Sequence, residues 1–213
     1  MQIIDAVLFE PVGCLAEFPS EQFLEIAARL FGRRKKASQS GSRSYWHLLN
    51  LMERANRELD GSEKQLAEAL EIQAVDAANA YEDVVPALAE LKAMGIQLLI
   101  ASSLSSAAIT YFLERFSLNE FFSAAWTRDS AGGVKAAPLA RAVSGTASKP
   151  EHLIFITDTL EGLKVSKAVG VNSILMMNDP DEARRLAMRN PAGGIVSLHE
   201  LPDLIRLVAC SGY

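Results

Sequence analysis

Hydrophobic residues follow two different patterns along this chain, and the change from one to the other falls near residue 80. Between about residues 17 and 79, apolar positions recur every three or four residues, a spacing typical of helices that pack by one face. Helices are predicted from Glu21 to Phe31 and from about Tyr45 to Leu59. A third is predicted after Ser62, which forms a capping box with Gln65. No part of this region has the pattern of a strand, so we expect it to be wholly helical.

Beyond residue 80, short continuous apolar runs alternate with helical stretches. The predicted strands are Gln97–Ala101, Ala124–Trp126, Leu153–Ile156 and Asn172–Met176, with a short edge strand at Ile195–Val196. The predicted helices are Val84–Met94, Ala107–Phe116, Leu139–Ser144, Gly162–Val169 and Leu198–Val208. Strands that alternate with helices imply right-handed crossovers and a parallel sheet, and therefore an α/β fold.

The first apolar run, Ala6–Phe9, ends on a carboxylate, Glu10, and a glycine follows at Gly13. A buried parallel strand that ends in this way delivers an acidic side chain to the carboxyl edge of the sheet, where α/β proteins bind ligands. The sequence therefore places a candidate site at the turn after the first strand.

Composition narrows the class of protein. A chain of 213 residues that is 49% hydrophobic suits one α/β domain with an inserted subdomain, or at most two small domains. The formal net charge of −5 argues against nucleic acid as a partner. No apolar stretch approaches the roughly 20 residues of a membrane span, and the first residues lack the features of a signal peptide. With two widely separated cysteines, Cys14 and Cys210, we expect a reduced cytoplasmic protein with no membrane partner.

The turn Glu10-Pro11-Val12-Gly13-Cys14-Leu15 resembles the first motif of the haloacid dehalogenase (HAD) superfamily, in which apolar residues precede Asp-x-Asp-Gly-Thr-Leu. The nucleophilic Asp of the family falls on Glu10, and the second Asp, the general acid/base of its phosphatases, falls on Val12. Cys14 stands where the family has Thr. Nothing near Cys14 in the sequence would stabilise a thiolate, so we do not expect a catalytic cysteine.

Three further motifs of the family have counterparts in the expected order. Ser102 and Ser103 follow the second core strand, where the family holds a phosphoryl oxygen. Lys135, in Gly-Val-Lys-Ala-Ala-Pro, matches the Lys that neutralises nucleophile and phosphate. Asp158, after Leu153–Ile156, matches a metal-binding carboxylate, with Thr157 at the position of a second acid.

The resemblance extends over essentially the whole chain. It implies a HAD-like Rossmannoid three-layer core of residues 1–15 and 80–213, with a parallel sheet, and an inserted helical C1 cap at residues 16–79. The subfamily with this cap includes hydrolases of the phosphoglycolate phosphatase and beta-phosphoglucomutase type.

The first motif departs from the family in ways that affect chemistry. Glu10 is one methylene longer than Asp, and a misplacement of about 1 Å costs on the order of 10²-fold in rate. Val12 supplies no proton, and loss of general acid/base help typically costs roughly 10²–10⁴-fold. Pro11 removes one backbone N–H from the loop. We therefore expect a catalytically impaired pseudophosphatase that keeps an anion-binding cleft. The alternative is an active phosphatase or dehalogenase of a small metabolite that uses Glu10 and Mg²⁺.

The resemblance also implies a ligand set. Glu10, the backbone carbonyl of Val12 and Asp158 are the candidate Mg²⁺ ligands. Ser102, Ser103, Gly13 and Lys135 are the candidate binding residues for a small anionic or phosphorylated ligand, and a protein partner is the other option.

Each of these residues also has a plainer interpretation. Glu10 is equally a strand-end carboxylate without a role, the two serines a helix cap, and Lys135 a solvated surface charge. The basic cluster of Arg33, Arg34, Lys35, Lys36 and Arg43 is either a solvated helix end or a loop that attracts an anion. Tyr45 and Trp46 are either the apolar wall of a cleft or core residues.

Overall fold

The computed structural model describes residues 3–33, 40–178 and 180–211. Its strands are β1 Ala6–Phe9, β2 Ala16–Glu17, β3 Asn79–Ala80, β4 Gln97–Ala101, β5 Ala124–Trp126, β6 Leu153–Thr157, β7 Asn172–Met176 and β8 Gly193–Ile195. Its helices are α1 Pro11–Cys14, α2 Glu21–Phe31, α3 Gly41–Ala55, α4 Gly61–Asp76, α5 Val84–Ala93, α6 Ser106–Arg115, α7 Arg128–Ala131, α8 Ala136–Gly145, α9 Leu160–Ala168, α10 Pro180–Ala187 and α11 Leu201–Ser211. No helix in these ranges is long and apolar enough to cross a membrane.

Six strands form one parallel sheet in the order β5-β4-β1-β6-β7-β8, which confirms the predicted α/β fold. Strand β1 lies at the centre, and Leu8 pairs with Leu99 on one side and with Phe155 on the other. Every residue of β1 is buried because helices cover both faces of the sheet, and its sequence is accordingly a continuous apolar run. This register brings the residues that follow β1, β4 and β6 to one edge.

The region between residues 17 and 79 is mainly helical, as predicted, but it is bounded by a small ribbon. Strand β2 pairs antiparallel with β3, with Ala16 opposite Ala80 and Glu17 opposite Asn79. The expectation that this region contains no strand is therefore wrong at its ends, because two-residue strands are too short to show alternation. We call the three helices between β2 and β3, α2 to α4, the helical insert.

The start of α4 also differs from the prediction. The capping box is formed by Asp60 and Glu63 rather than by Ser62 and Gln65. The Asp60 carboxylate accepts the Glu63 N–H at 2.9 Å, and Ser62 Oγ donates to the same carboxylate oxygen at 2.7 Å. The tip of the predicted basic cluster, Arg34 to Lys36, lies outside the described residues.

Aromatic side chains pack within the helical insert and between the segment just before it and α6. Phe18 stacks on Phe112 of α6, with ring centroids 5.9 Å apart. Phe23 of α2 packs against Tyr45 of α3, with centroids 5.2 Å apart. Burial of such rings contributes strongly to packing and sets the orientation of α3, which carries Tyr45 towards the carboxyl edge of the sheet.

Candidate functional site

Two of the predicted site residues meet at the carboxyl edge of the sheet. Glu10 follows β1 and Ser102 follows the adjacent strand β4, and both side chains are buried. Ser102 Oγ donates a hydrogen bond of 2.6 Å to Glu10 Oε1. The parallel register thus produces the juxtaposition that the motif order predicted.

The third member of this cluster comes from the helical insert. Tyr45 of α3 is fully buried, and its hydroxyl lies 3.1 Å from Glu10 Oε2, to which it donates, and 3.3 Å from Ser102 Oγ. It also accepts the backbone N–H of Ser103 at 2.8 Å. The Leu104 N–H donates to Ser102 Oγ at 3.2 Å. The groups that the family resemblance assigned to an anion are therefore engaged by the chain's own side chains.

Burial changes the charge of Glu10. Its carboxyl is only 3% exposed, and desolvation raises its pKa from 4.5 to about 8. The hydrogen bonds from Ser102, Tyr45 and the Val12 N–H lower this pKa but do not cancel the effect of burial, and the nearby charge of Asp158 raises it further. At neutral pH the carboxyl is therefore mainly protonated.

The three side chains form a closed cluster. Tyr45 and Ser102 each donate to one oxygen of Glu10, and their two hydroxyl oxygens lie 3.3 Å apart. Both oxygens of the carboxyl group therefore have a hydrogen-bond partner within the chain.

The turn after Glu10 is held tightly. Gly13 has φ +81°, and a β-carbon there would collide with Ser42 of α3 and with Asp158. Its carbonyl accepts a 2.7 Å hydrogen bond from Asn178 Nδ2, which also donates to Asp158 Oδ2 at 3.3 Å. The glycine of the motif is required here by both backbone conformation and space.

Cys14 in the same turn is buried, and its thiol donates weakly to the Ile156 carbonyl at 3.5 Å. Burial raises the pKa of this thiol well above its usual value, and the charges of Asp158 and Glu10 raise it further. Cys14 is a packing residue rather than a nucleophile.

Lys135, predicted to lie beside Glu10, is not brought there. Its ammonium contacts Glu53 Oε2 at 2.6 Å and Asn50 Oδ1 at 3.1 Å, both on α3. Its backbone N–H donates to Ser103 Oγ at 2.7 Å, and its φ of +61° and ψ of −100° turn the chain at the start of α8. The backbone of Lys135 therefore contacts Ser103, while its ammonium group binds Glu53 of the helical insert.

A second buried contact joins the helical insert to the sheet edge. Glu71 of α4 is 1% exposed and pairs with Arg128, with Nη1 2.6 Å from Oε1 and Nη2 3.2 Å from Oε2. Glu71 also accepts the Ser105 N–H at 2.9 Å, and Arg128 Nη1 donates to the Ser103 carbonyl at 3.3 Å.

The residues present do not fit a Mg²⁺ site. Mg²⁺ requires octahedral oxygen ligation built around carboxylates. The two oxygens of Glu10 take hydrogen bonds from Ser102 and Tyr45, while Asp158 Oδ2 takes one from Asn178. Among the residues that the structure describes, no three His, Cys, Asp or Glu side chains are grouped so as to hold a metal ion.

An open cavity of about 540 Å³ lies on the other side of the motif turn. Gly13 and Asp158 line it, together with the first turn of α3, where Ser42 and Arg43 lie, and with Asn178 after β7. Met177, Leu186 and Val196 supply an apolar wall. None of Glu10, Ser102 or Lys135 lines this cavity.

Sequence reasoning assigned Tyr45 to a cleft wall or to the core and missed its hydroxyl. It also missed Glu71, Arg128 and Asn178. The available signal was chemical: a tyrosine on the apolar face of a helix must find a partner for its hydroxyl when it is buried. Which partner it finds depends on how the helical insert docks.

The chain is similar to one protein family and to several solved structures. The sequence pattern of haloacid dehalogenase-like hydrolases matches residues 22–176. A predicted phosphatase from Clostridium acetobutylicum has a similar structure, with a TM-score of 0.71 and 18% identity, covering 97% of this chain and 100% of that one. No curated protein matches the chain.

Two further solved structures are similar. L-2-haloacid dehalogenase from Xanthobacter autotrophicus gives a TM-score of 0.64 at 18% identity, covering 96% of this chain and 99% of that one. A predicted phosphoglycolate phosphatase from Haemophilus somnus gives 0.68 at 15% identity, with 96% and 99% covered. Sequence identities this low establish only a common fold. The family pattern, by contrast, matches more than half of the sequence and establishes the family. The chain belongs to the haloacid dehalogenase-like hydrolase family.

Proposed function

We propose that this HAD-family protein lacks efficient hydrolytic turnover and acts by binding a small anionic ligand, with a protein partner as the other option. The observation that carries the proposal is the Tyr45 hydroxyl, which lies against the carboxyl group at the nucleophile position and accepts the Ser103 N–H.

Nucleophilic attack needs an ionised carboxylate that can reach the substrate in line. Glu10 is mainly protonated at neutral pH, is 3% exposed and is engaged by two hydroxyls. Val12 provides no acid or base, and Lys135 is bound by Glu53. Four requirements of catalysis are thus impaired together. They are the placement of the nucleophile, its ionisation, proton transfer to the leaving group and neutralisation of the substrate's charge.

The cavity beside Gly13 supports the binding half of the proposal. The first turn of α3 lines it, with the backbone N–H of Arg43 donating to the Ser40 side chain, and Arg43 adds a positively charged residue. Asn178 adds an amide, and the apolar wall suits the carbon skeleton of a metabolite. The carboxylates of Glu17 and Asp158 also line the cavity, so an anionic head would bind at the Arg43 and Asn178 end, with a short apolar body against the apolar wall.

Turnover is tested with a panel of phosphomonoesters, including p-nitrophenyl phosphate, and of 2-haloacids, with and without added Mg²⁺. We expect no substrate to reach a kcat of about 1 s⁻¹, the lower part of the ordinary enzyme range. Turnover at or above that level that is abolished in Glu10→Gln would establish an active hydrolase. Turnover that persists in Glu10→Gln would identify a contaminant.

Binding is tested by calorimetry with inorganic phosphate and with small phosphorylated metabolites. We expect Arg43→Met to weaken binding at least about tenfold, as loss of a charged contact does. Arg54→Met is the matched control, because Arg54 lies on the same helix but is exposed and away from the cavity. Equal affinities in both variants would place the ligand elsewhere.

A further inference from the structure

All three polar groups of Ser103 are engaged in contacts that lead to the helical insert. Its N–H donates to the hydroxyl of Tyr45 on α3, at 2.8 Å. Its carbonyl accepts from Arg128, whose guanidinium pairs with Glu71 on α4. Its hydroxyl accepts the N–H of Lys135 at 2.7 Å, and the Lys135 ammonium binds α3 through Glu53. One residue of the sheet edge therefore connects to two helices of the insert by three routes.

The route through Lys135 is held in an unusual backbone conformation. Lys135 has φ +61° and ψ −100°, which a residue with a β-carbon rarely adopts. Such conformations persist when surrounding contacts over-determine them, and they concentrate at clamps and switches. Here the N–H bond to Ser103 and the ammonium contacts with Asn50 and Glu53 hold both ends of the residue.

The route through Arg128 is buried. Glu71 accepts two guanidinium N–H groups and the Ser105 N–H, and the Arg128 side chain is 11% exposed. An ion pair in such a place is satisfied only while the insert stays docked, because separation would leave both charges without these partners.

The route through Tyr45 occupies the place of a ligand. The Tyr45 hydroxyl oxygen accepts the backbone N–H of Ser103 and lies against Ser102 and Glu10. The family resemblance assigns an oxygen of a bound anion to this position. The helical insert therefore supplies a side-chain oxygen, that of Tyr45, at this position.

We propose that the helical insert is kept closed on the sheet edge by a single latch, in which the Tyr45 hydroxyl takes the place of a ligand oxygen. The residues of the latch are Tyr45, Glu71, Ser103, Arg128 and Lys135. Because the three routes share Ser103, they open together rather than one at a time. The latch is independent of whether the chain has hydrolytic turnover, and it leaves the cavity beside Gly13 accessible.

Hydrogen exchange of the full-length chain, followed by mass spectrometry, tests the latch. Tyr45→Phe removes one hydroxyl and Lys135→Met removes one ammonium. We expect each variant to accelerate exchange at least about fivefold in the same three segments: α3, α4 and residues 102–105. The central strands β1 and β6 should stay as protected as in the unmodified protein.

Matched controls separate the latch from ordinary contacts. Lys64→Met removes an exposed lysine of α4 that lies 4.0 Å from Glu58. Tyr111→Phe removes a tyrosine hydroxyl that donates to the exposed Asp76 of α4 without reaching Ser103. We expect neither control to accelerate exchange in all three segments.

Two results would overturn the latch. The first is acceleration confined to residues 102–105 in Tyr45→Phe. The second is a Lys135→Met variant that behaves like Lys64→Met. Equal acceleration in β1 and β6 would mean that a variant has lost its whole fold, and Glu53→Gln, at an exposed residue, then repeats the test without altering the core. A Glu53→Gln variant that behaves like Lys64→Met would overturn the latch as well.

Discussion

The two halves of the sheet's carboxyl edge have opposite characters. On the side of β1 and β4, Glu10 and Ser102 are sealed by Tyr45 from the helical insert. On the side of β6 and β7, Asp158 and Asn178 face a cavity of about 540 Å³. One sheet edge thus carries a closed cluster of polar side chains next to an open cavity, and the two differ in how far they depend on the helical insert.

The difference has a simple origin in α3. Its first turn lines the open cavity, while Tyr45, one turn further on, fills the closed pocket. The closed side is maintained by buried polar contacts, each of which needs its partner. On the open side, the contacts with Gly13 and Asp158 are made by Asn178, which is exposed to solvent. Substitutions on the two sides should therefore differ in cost.

The largest expected effect comes from Arg128→Met on the closed side. It leaves the carboxylate of Glu71 buried without its cation, and we expect a loss of about 3–5 kcal/mol in the free energy of unfolding. Urea denaturation measures this loss. Arg206→Met is the control, because its pairs with Glu90 and Asp203 are exposed and screened by solvent and should contribute little to stability. Similar losses in both variants would contradict the importance of the buried pair.

The pH dependence of stability should reveal the neutral Glu10. Its pKa is about 8 in the folded chain against 4.5 ordinarily, so between these values the folded state holds a proton that the unfolded state has released. The free energy of unfolding gains this contribution in full below pH 4.5 and loses it as pH rises towards 8, by up to about 1.4 kcal/mol per pH unit.

Glu10→Gln should remove this component of the pH profile, since an amide does not titrate. Denaturation curves of the two proteins are compared between pH 5 and pH 9. This interval covers most of the range over which the Glu10 pKa is shifted, from 4.5 to about 8. A profile that is unchanged by Glu10→Gln would show that Glu10 is ionised at neutral pH, and the contrast between the closed and open sides would then lose its electrostatic basis.

Tyr45→Phe should have an intermediate effect. It keeps the ring packing but leaves the Ser103 N–H and one Glu10 oxygen without a partner, at a cost of about 1–3 kcal/mol. The pKa of Glu10 should also rise, because the hydrogen bond from Tyr45 lowers it. Thermal denaturation at two pH values checks both effects, with Tyr111→Phe as the exposed counterpart.

The smallest effect is expected on the open side. Asn178→Ala removes the donor to Gly13 and Asp158, but Asn178 is exposed and water replaces it, so we expect about 1 kcal/mol or less. The pH profile due to Glu10 should be unchanged. A shifted profile would mean that the two sides are coupled through the motif turn.

Much of the architecture follows from local patterns. The continuous apolar runs identified five strands of the main sheet, and the alternation with helices identified parallel pairing. The meeting of Glu10 with Ser102 followed from motif order and parallel register. The ribbon of β2 and β3 and the true cap of α4 were not found, because short strands and competing cap residues differ little in sequence.

The sequence by itself determined the fold and the family resemblance, and it predicted that Val12 supplies no acid or base, since these depend on apolar periodicity and residue identity. Only the tertiary structure decided that Lys135 turns to Glu53 and that Tyr45 reaches Glu10. These contacts join residues 82 and 35 positions apart. They depend on the docking of α3, which is governed by packing of buried rings and by burial of polar groups, and no local pattern encodes the distance between two such groups.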